Sequence, residues 1–594
     1  MTDYKAPIND VSFIVNDVLN LSQLTSIPDF SEATDELIDA VMEEAGKFAG
    51  EVFAPLNRIG DLQHSRAVDG EVKTPDGFKQ AYQLFVDNGW LSLAQNPEFG
   101  GQGLPFTVHM VASEFWNSAN ISMALNPMLT AGAIDALEAH AGDELKQTYL
   151  PKLISGEWTG TMNLTESHAG SDLSNLRTKA KPNGDHYLIK GQKIYITWGE
   201  HDMADNIIHI VLAPLEDAPA GVKGLSLFLV PKFLVNEDGS LGERNDLKVV
   251  STEEKLGINA SPTCVMSFGD DEEGAIGYMI GEPGQGLACM FTLMNHARLE
   301  VGLEGVGVSE RAYQNALSYA KDRIQGRDPI SGESTAIIGH ADVQRMLMTM
   351  KSYIDAMRGL CYDAALSHDL RGHAMSEEER KYHSTRFALL TPVTKAWCTE
   401  IVNTVTSLGI QVHGGMGYVE ETGVAQHYRD ARITSIYEGT TGIQANDLVG
   451  RKLIRDGGAG LTDLMSEIDE TINSIESISL KELKDKLTSA KTDLQNSANY
   501  ILEKNEFSPK MLGAVAYNFL MQMGYVCGAW YHLRAAVQAE NKIASAEGDA
   551  NFYNSKIVAA HFFINQLMPQ ATSFHHAIIH GSEIGCGLSA EVFV

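Results

Sequence analysis

Apolar residues recur every three or four positions along most of this 594-residue chain, and the period turns to alternation only in its second quarter. Leu37, Val41, Ala45, Phe48 and Val52 fall on one face of a helix predicted over 33–53, which Pro55 is expected to end. Residues 1–35 mix short apolar runs with Pro7 and Pro28 and predict an N-terminal arm with one short helix. Helical spacing then dominates an N-terminal domain over 36–159. It is broken by the glycine-rich stretch from Pro97 to Pro105, which suits a plain surface connection and a ligand-facing loop about equally.

Near Gly160 the pattern changes. Short runs at 161–164, 186–189, 193–196, 207–212, 225–230 and 264–268 read as strands, separated by turn signals such as Pro182-Asn183-Gly184-Asp185. They predict a compact antiparallel β domain over 160–282, with a hairpin extension at 235–244. The helical period returns at Gly286, with helices expected over 286–325, 340–370, 377–408 and 443–456, long enough for a bundle domain over 283–456. Gly457, Gly458 and Gly460 mark a linker, and 461–594 predicts a further helical domain with helices at 511–540 and 553–576. The fold class is therefore α+β and mostly α.

Composition narrows the partners. The net charge of -32 argues against nucleic acid or anionic lipid. None of the six cysteines forms a CxxC pair, so no structural metal or disulfide framework is expected and a reducing compartment fits. No signal peptide is read at the start, and no apolar run approaches the ~18–20 residues that span a bilayer. Together these point to a cytoplasmic protein without integral membrane contact.

One stretch carries chemistry: Ile436-Tyr437-Glu438-Gly439-Thr440-Thr441-Gly442-Ile443-Gln444. Thr441 and Gln444 have the spacing of a capping box, so a helix should start there. Gly439 allows close approach to Glu438. In a pocket closed by Ile436 and Tyr437, burial would raise the carboxyl pKa, and nearby N–H groups could hold an oxyanion. That is the equipment for taking a proton next to a carbonyl.

Helices, a β domain and a bundle ending in Tyr-Glu-Gly-Thr form the order seen in acyl-CoA dehydrogenases, and the chain resembles that flavoprotein family from about 35 to 455. The resemblance rests on Pro-Glu-Phe-Gly-Gly-Gln-Gly-Leu (97–104), Asn-Leu-Thr-Glu-Ser-His-Ala-Gly-Ser-Asp (163–172) and Gly-Gln-Lys-Ile-Tyr-Ile-Thr (191–197). It continues through Glu-Lys-Leu-Gly-Ile (254–258), Gly-Gln-Gly-Leu (284–287), Asn-His-Ala-Arg (295–298), Tyr-Ala-Lys-Asp-Arg (319–323), Gln-Val-His-Gly-Gly (411–415) and Tyr-Glu-Gly-Thr (437–440). It implies FAD as cofactor, with Met162, Leu164, Thr165, Tyr195 and Thr197 along the flavin. Gly170 and Ser171 would meet its pyrophosphate, and Thr440 is a further cofactor contact. Arg323, Gln411 and Gly415 would hold the adenosine diphosphate half of a neighbouring subunit's FAD, which implies a homodimer or larger assembly. Arg298, Asn295, Tyr437 and Gly439 would line the acyl-CoA site, and Glu438 would be the base. Electrons would pass to an electron-transferring flavoprotein.

The chain departs from the family pattern in places. Ser167 stands where Pro is common, Asn295 where an acidic residue is common, and Tyr195 where Trp is usual. Ala297 occupies the position at which some members carry their base. The arm, the extra domain and the stretches 160–166 and 412–423 are similar to the branch acting on 3-(methylthio)propanoyl-CoA. That implies its oxidation to 3-(methylthio)acryloyl-CoA in dimethylsulfoniopropionate breakdown. The alternatives are a straight-chain acyl-CoA dehydrogenase, an acyl-CoA oxidase and a non-catalytic flavin-binding assembly protein.

Overall fold

The computed structural model describes residues 4–271, 273–504, 509–584 and 586–594. It divides into two compact units, Lys47–Glu300 and Met1–Gly46 together with Val301–Val594.

In the first unit Pro55 does not end its helix: the π turn Ala49–Phe53 runs straight into Ala54–Gln63, with Pro55 in the first turn of the latter. The apolar helix Phe106–His140 is buried almost all round. It breaks at Asn120 (φ -161°, ψ 90°), whose side-chain oxygen accepts the Met123 N–H at 3.2 Å and restarts the helix. The glycine-rich stretch before it folds onto its own neighbours: Gln102 N–H donates to Ser92 O, Gly103 N–H to Gln95 O and Leu104 N–H to Leu93 O. A Cβ on Gly101 would lie 1.9 Å from Gln95 O, so that turn admits only glycine.

The β domain is an eight-stranded sheet. Its main path runs Leu247–Thr252, Thr263–Phe268, His186–Thr197, Ala275–Ile280, Leu225–Pro231, Asn206–Pro214 and Trp158–Asn163, with Lys179–Asn183 also paired to His186–Thr197. All pairs are antiparallel except Trp158–Asn163 with Asn206–Pro214, which is parallel. The runs expected at 186–189 and 193–196 are one twelve-residue strand. Its first half pairs with Ala275–Ile280 and its second with Thr263–Phe268. The exchange occurs at Gly191 (φ 149°), where a Cβ would press within 2.7 Å of the Thr178 backbone. The short hairpin Phe233–Val235/Leu241–Arg244 stands where an extension was expected.

In the second unit, helices Ala341–His373 and Glu377–His413 pack along each other. A capping box of Ser376 and Glu379 opens the latter. Helix Pro509–Ala544 packs against both and against Ala550–Phe562 and Gln570–Gly581. Residues beyond the Gly457-Gly458 turn thus share the bundle's core. A buried ion cluster reinforces this. Arg386 donates to both oxygens of Asp363 (2.9 and 2.6 Å) and to both of Glu467 (2.8 and 2.9 Å), while the Tyr531 hydroxyl donates to Asp363 at 2.5 Å.

The N-terminal arm lies on this unit. Phe13 meets the rings of Phe552 and Tyr553, each 5.8 Å between centroids, and Arg534 donates to Val18 O at 2.6 Å. Lys556, nearly fully buried, bridges Asp10 of the arm at 2.5 Å and Asp355 of the bundle at 3.2 Å. Among the described residues no helix is long and apolar enough to cross a membrane. The six cysteines are free, five of them buried.

Candidate active site

The turn around Glu438 follows helix Val424–Ala431 and precedes Thr441–Asp447. Glu438 itself has φ +53°, a left-handed conformation that a non-glycine side chain adopts only where its surroundings impose it. Gly439 follows at φ +91°, and a Cβ there would sit 2.6 Å from the Gln444 side chain. The helix cap is Thr440, not Thr441: its hydroxyl accepts the Ile443 N–H at 3.4 Å. Thr441 instead donates to Glu400 at 2.5 Å, and the buried Gln444 amide donates to the Glu438 carbonyl at 3.1 Å. The distant Glu400 claims Thr441 and the nearby Glu438 carbonyl claims Gln444, so the expected capping box does not form.

Two further side chains brace this turn. The Tyr437 hydroxyl donates to the buried carboxylate of Glu304. Burial, then the charge of Glu304, keeps that phenol protonated well above its usual range. Lys395 is fully buried on helix Glu377–His413 and donates to Thr434 O and Gly439 O, both at 2.8 Å. Ile436, expected to close a pocket, is instead 47% exposed. Glu438 is half-buried.

At the end of the same long helix Gln411 and Gly415 are exposed, and so is Arg323 at the end of Gly286–Asp322. The rings of Tyr319 and His413 stack at 4.5 Å, which joins the two helix ends. The Arg323 guanidinium has no hydrogen-bond or ion-pair partner among the described residues.

The β-domain residues gather around a buried ion pair. Lys193, fully buried, donates to Glu166 at 2.9 Å, to Leu164 O at 3.0 Å and to Leu212 O at 2.8 Å. Glu166 also accepts the N–H groups of Arg177 and Thr178. Burial pushes this carboxyl up, but the Lys193 charge and these bonds hold it below its ordinary value. Glu166 is thus engaged in structure. Burial drives the Lys193 ammonium down to about 8, opposed by Glu166. The pair fixes Leu164 and Thr165, whose carbonyl accepts the Ile194 N–H at 2.9 Å, beside half-buried Met162. Tyr195, at φ +60°, presents a ring that is 60% exposed. Thr197 is half-buried, and Gly170 and Ser171 are exposed. Among the described residues the hydroxyls of Thr165, Ser171 and Thr197 take no side-chain hydrogen-bond partner.

Arg298 is buried, with Nη1 3.4 Å from half-buried Asn295 and its guanidinium 5.7 Å from the Phe291 ring. Their helix is docked by a buried cluster with cation-ligand character, His109, His296 and Glu300. Several of its atoms are engaged with one another and their neighbours. His109 Nε2 lies 2.7 Å from Glu300, Ser113 donates to Glu300 at 2.6 Å, and His296 Nδ1 lies 2.7 Å from Asp135. Sequence spacing could not reveal this cluster, the Lys193–Glu166 pair or Lys395, since each joins residues tens to hundreds of positions apart.

Four family descriptions match in order: the acyl-CoA dehydrogenase N-terminal domain over 36–157, middle domain over 161–270 and C-terminal domain over 284–453, then an acetyl-CoA dehydrogenase C-terminal-like region over 464–586. The chain belongs to the acyl-CoA dehydrogenase family, whose members are FAD-dependent oxidoreductases. It is 44% identical to the 3-methylmercaptopropionyl-CoA dehydrogenase of Ruegeria pomeroyi, over 97% of this chain and 98% of that protein. It is 34% identical to a butyryl-CoA dehydrogenase of Syntrophomonas wolfei, over 96% and 95% respectively. The fold matches Caenorhabditis elegans ACDH-11, solved in complex with C11-CoA, with a TM-score of 0.77 at 19% identity, covering 97% of this chain and 95% of that one.

Proposed function

We propose that this acyl-CoA dehydrogenase acts on 3-(methylthio)propanoyl-CoA, with Glu438 as the base that removes the α-proton. The product is 3-(methylthio)acryloyl-CoA, a step in dimethylsulfoniopropionate breakdown. The observation that carries the chemistry is the left-handed Glu438, half-buried on a turn braced through both adjoining carbonyls. A carboxylate held there takes a proton without first having to be ordered. The Glu438 backbone N–H would polarise the thioester carbonyl as the proton leaves.

The residues present fit FAD. The unspent hydroxyls of Thr165, Thr197 and Ser171 are hydrogen-bonding groups for a polar ring edge and a diphosphate, and the exposed Tyr195 ring offers an apolar face. Bound FAD supplies the acceptor for the hydrogen leaving the β-carbon. An electron-transferring flavoprotein is the proposed onward acceptor.

The substrate assignment rests on the full-length similarity to the Ruegeria protein. The butyryl-CoA relative keeps a short straight-chain substrate as the second reading. A thioether and a methylene differ little to an apolar pocket, roughly 1–3 kcal/mol at most. Anaerobic flavin bleaching with a panel of acyl-CoAs tests the chain-length range that both readings imply. We expect fastest bleaching with 3-(methylthio)propanoyl-CoA, near-equal rates with butanoyl- and pentanoyl-CoA, and a fall at ten carbons and beyond. An optimum at palmitoyl-CoA would overturn the assignment.

The free guanidinium of Arg323 and the exposed Gln411 and Gly415 suit a second copy's FAD diphosphate, so we propose a homodimer that shares its cofactors. Arg323→Ala then loses a charge-assisted contact and should weaken FAD retention about 10–100-fold. The purified variant should be flavin-poor by its 450 nm absorbance. Full occupancy at unchanged affinity would displace Arg323 from that role.

A further inference from the structure

Lys395 is an unusual residue for its place. It lies in the apolar run Leu389-Leu390-Thr391-Pro392-Val393-Thr394-Lys395-Ala396-Trp397, and its side chain is 0% exposed. Burying an ammonium this way is costly unless its donors are met in good geometry. Here it meets the Thr434 and Gly439 carbonyls at 2.8 Å each, one before and one just after Glu438. On the other side of the same peptide segment, Gln444 Nε2 holds the Glu438 carbonyl at 3.1 Å. The stretch 434–439 is therefore closed at both ends by one cation, and the strained residue sits inside the closure.

A non-glycine residue at φ +53° persists only where its surroundings over-determine it, at a cost of order 1–3 kcal/mol. The local sequence supplies little of that constraint, since the helix cap at Thr440 lies beyond the strained residue. The constraint comes from Lys395 on helix Glu377–His413 and, from the helix that follows the turn, Gln444.

We propose that Lys395 is a positioning residue for catalysis: its buried ammonium clamps the carbonyls of Thr434 and Gly439 and so holds Glu438 in the left-handed conformation that aims its carboxylate. This rests on the reading of Glu438 as the base. The Lys395 bonds to Thr434 O and Gly439 O run to the backbone that carries Glu438. Loss of Lys395 should therefore change how often the carboxylate is aimed, and leave substrate binding alone.

The test compares Lys395→Met, which keeps the length and removes the charge and all donors, with Lys395→Gln, which restores amide donors without charge. Each is purified with FAD, and anaerobic flavin reduction by butanoyl-CoA is followed in stopped flow, with the rate at saturation separated from the half-saturating concentration. Misplacement of a catalytic group by about 1 Å can cost ~10²-fold, so Lys395→Met should lower the limiting rate per bound flavin about 10–100-fold. The half-saturating concentration should stay within about threefold, and Lys395→Gln should recover part of the rate. Should Lys395→Met not fold, Lys395→Gln decides alone, with a limiting rate at least about fivefold below wild type expected at unchanged half-saturation. A wild-type limiting rate per bound flavin in the variants, or a loss confined to flavin content or half-saturation, would overturn the proposal. Glu438→Gln is run alongside. If that variant also bleaches at the wild-type rate, the reading of the base has failed, whereas bleaching lost in Glu438→Gln but intact in Lys395→Met removes only the clamp.

Discussion

Glu438→Gln is expected to lower turnover by about 10²-fold or more while leaving a folded, yellow protein. The substitution keeps the side-chain volume and the backbone, so the bonds from Lys395 to Gly439 O and from Gln444 to Glu438 O can all form as before. It removes the oxygen lone pair basic enough to take an α-proton. Mixed anaerobically with acyl-CoA, the variant should keep its flavin absorbance where wild type bleaches. Its spectrum should still shift on binding, because the binding residues are untouched. Bleaching near the wild-type rate would show that another group removes the proton. Glu166 is a poor substitute, since Lys193 and two backbone N–H groups already occupy its oxygens.

Arg386→Met should destabilise the second unit by about 3–5 kcal/mol at neutral pH, because it leaves Asp363 buried without its main counter-charge. Asp363 is 4% exposed. Burial pushes its carboxyl up, but the Arg386 charge and bonds, with Arg534 and the Tyr531 hydroxyl, hold it below the usual carboxylate range. A carboxyl depressed in the folded state stabilises fully above its unfolded pKa, about 3.9, and the contribution is lost as the pH falls through the folded value. The gap between wild type and variant should therefore be widest near pH 7 and narrow below about pH 4. Urea titrations at the two pH values read this directly. Equal midpoints at pH 7 would mean that the cluster adds nothing to the joint between the bundle and residues 461–594.

The long helices were legible because their apolar faces repeat without interruption, as in Glu377–His413 and Pro509–Ala544. Breaks were harder to read. Pro55 reads as a helix end, yet the chain stays helical through it by way of the π turn Ala49–Phe53, which leaves no mark in the sequence. The run at 553–576 is two helices, Ala550–Phe562 and Gln570–Gly581, parted near Pro569. In the sheet, alternation located several strands but could not reveal that Trp158–Asn163 pairs in parallel, since pairing direction leaves no local mark. The Glu438 turn was legible from its Gly and Thr content. Its cap was misread by one residue because Thr440 and Thr441 are chemically equal, and only the distant Glu400 decides which hydroxyl is free to cap. Ile436 faces outward for a similar reason: an apolar side chain next to a turn carries no sign of which way it points.

The arm also bears on how the chain is made. Asp10 and Lys556 are 546 residues apart, and the aromatic residues that receive Phe13 lie at 552 and 553. At translation speeds of roughly 5–20 residues per second, about half a minute to two minutes separate the emergence of the two halves of this contact. Throughout that interval Phe13, Ile14, Val15 and Val18, all buried in the finished protein, have no final resting place. A segment made 546 residues ahead of its partner is thus among the last to dock, and a nascent chain of this protein carries an apolar arm that other factors, or other nascent chains, can reach first.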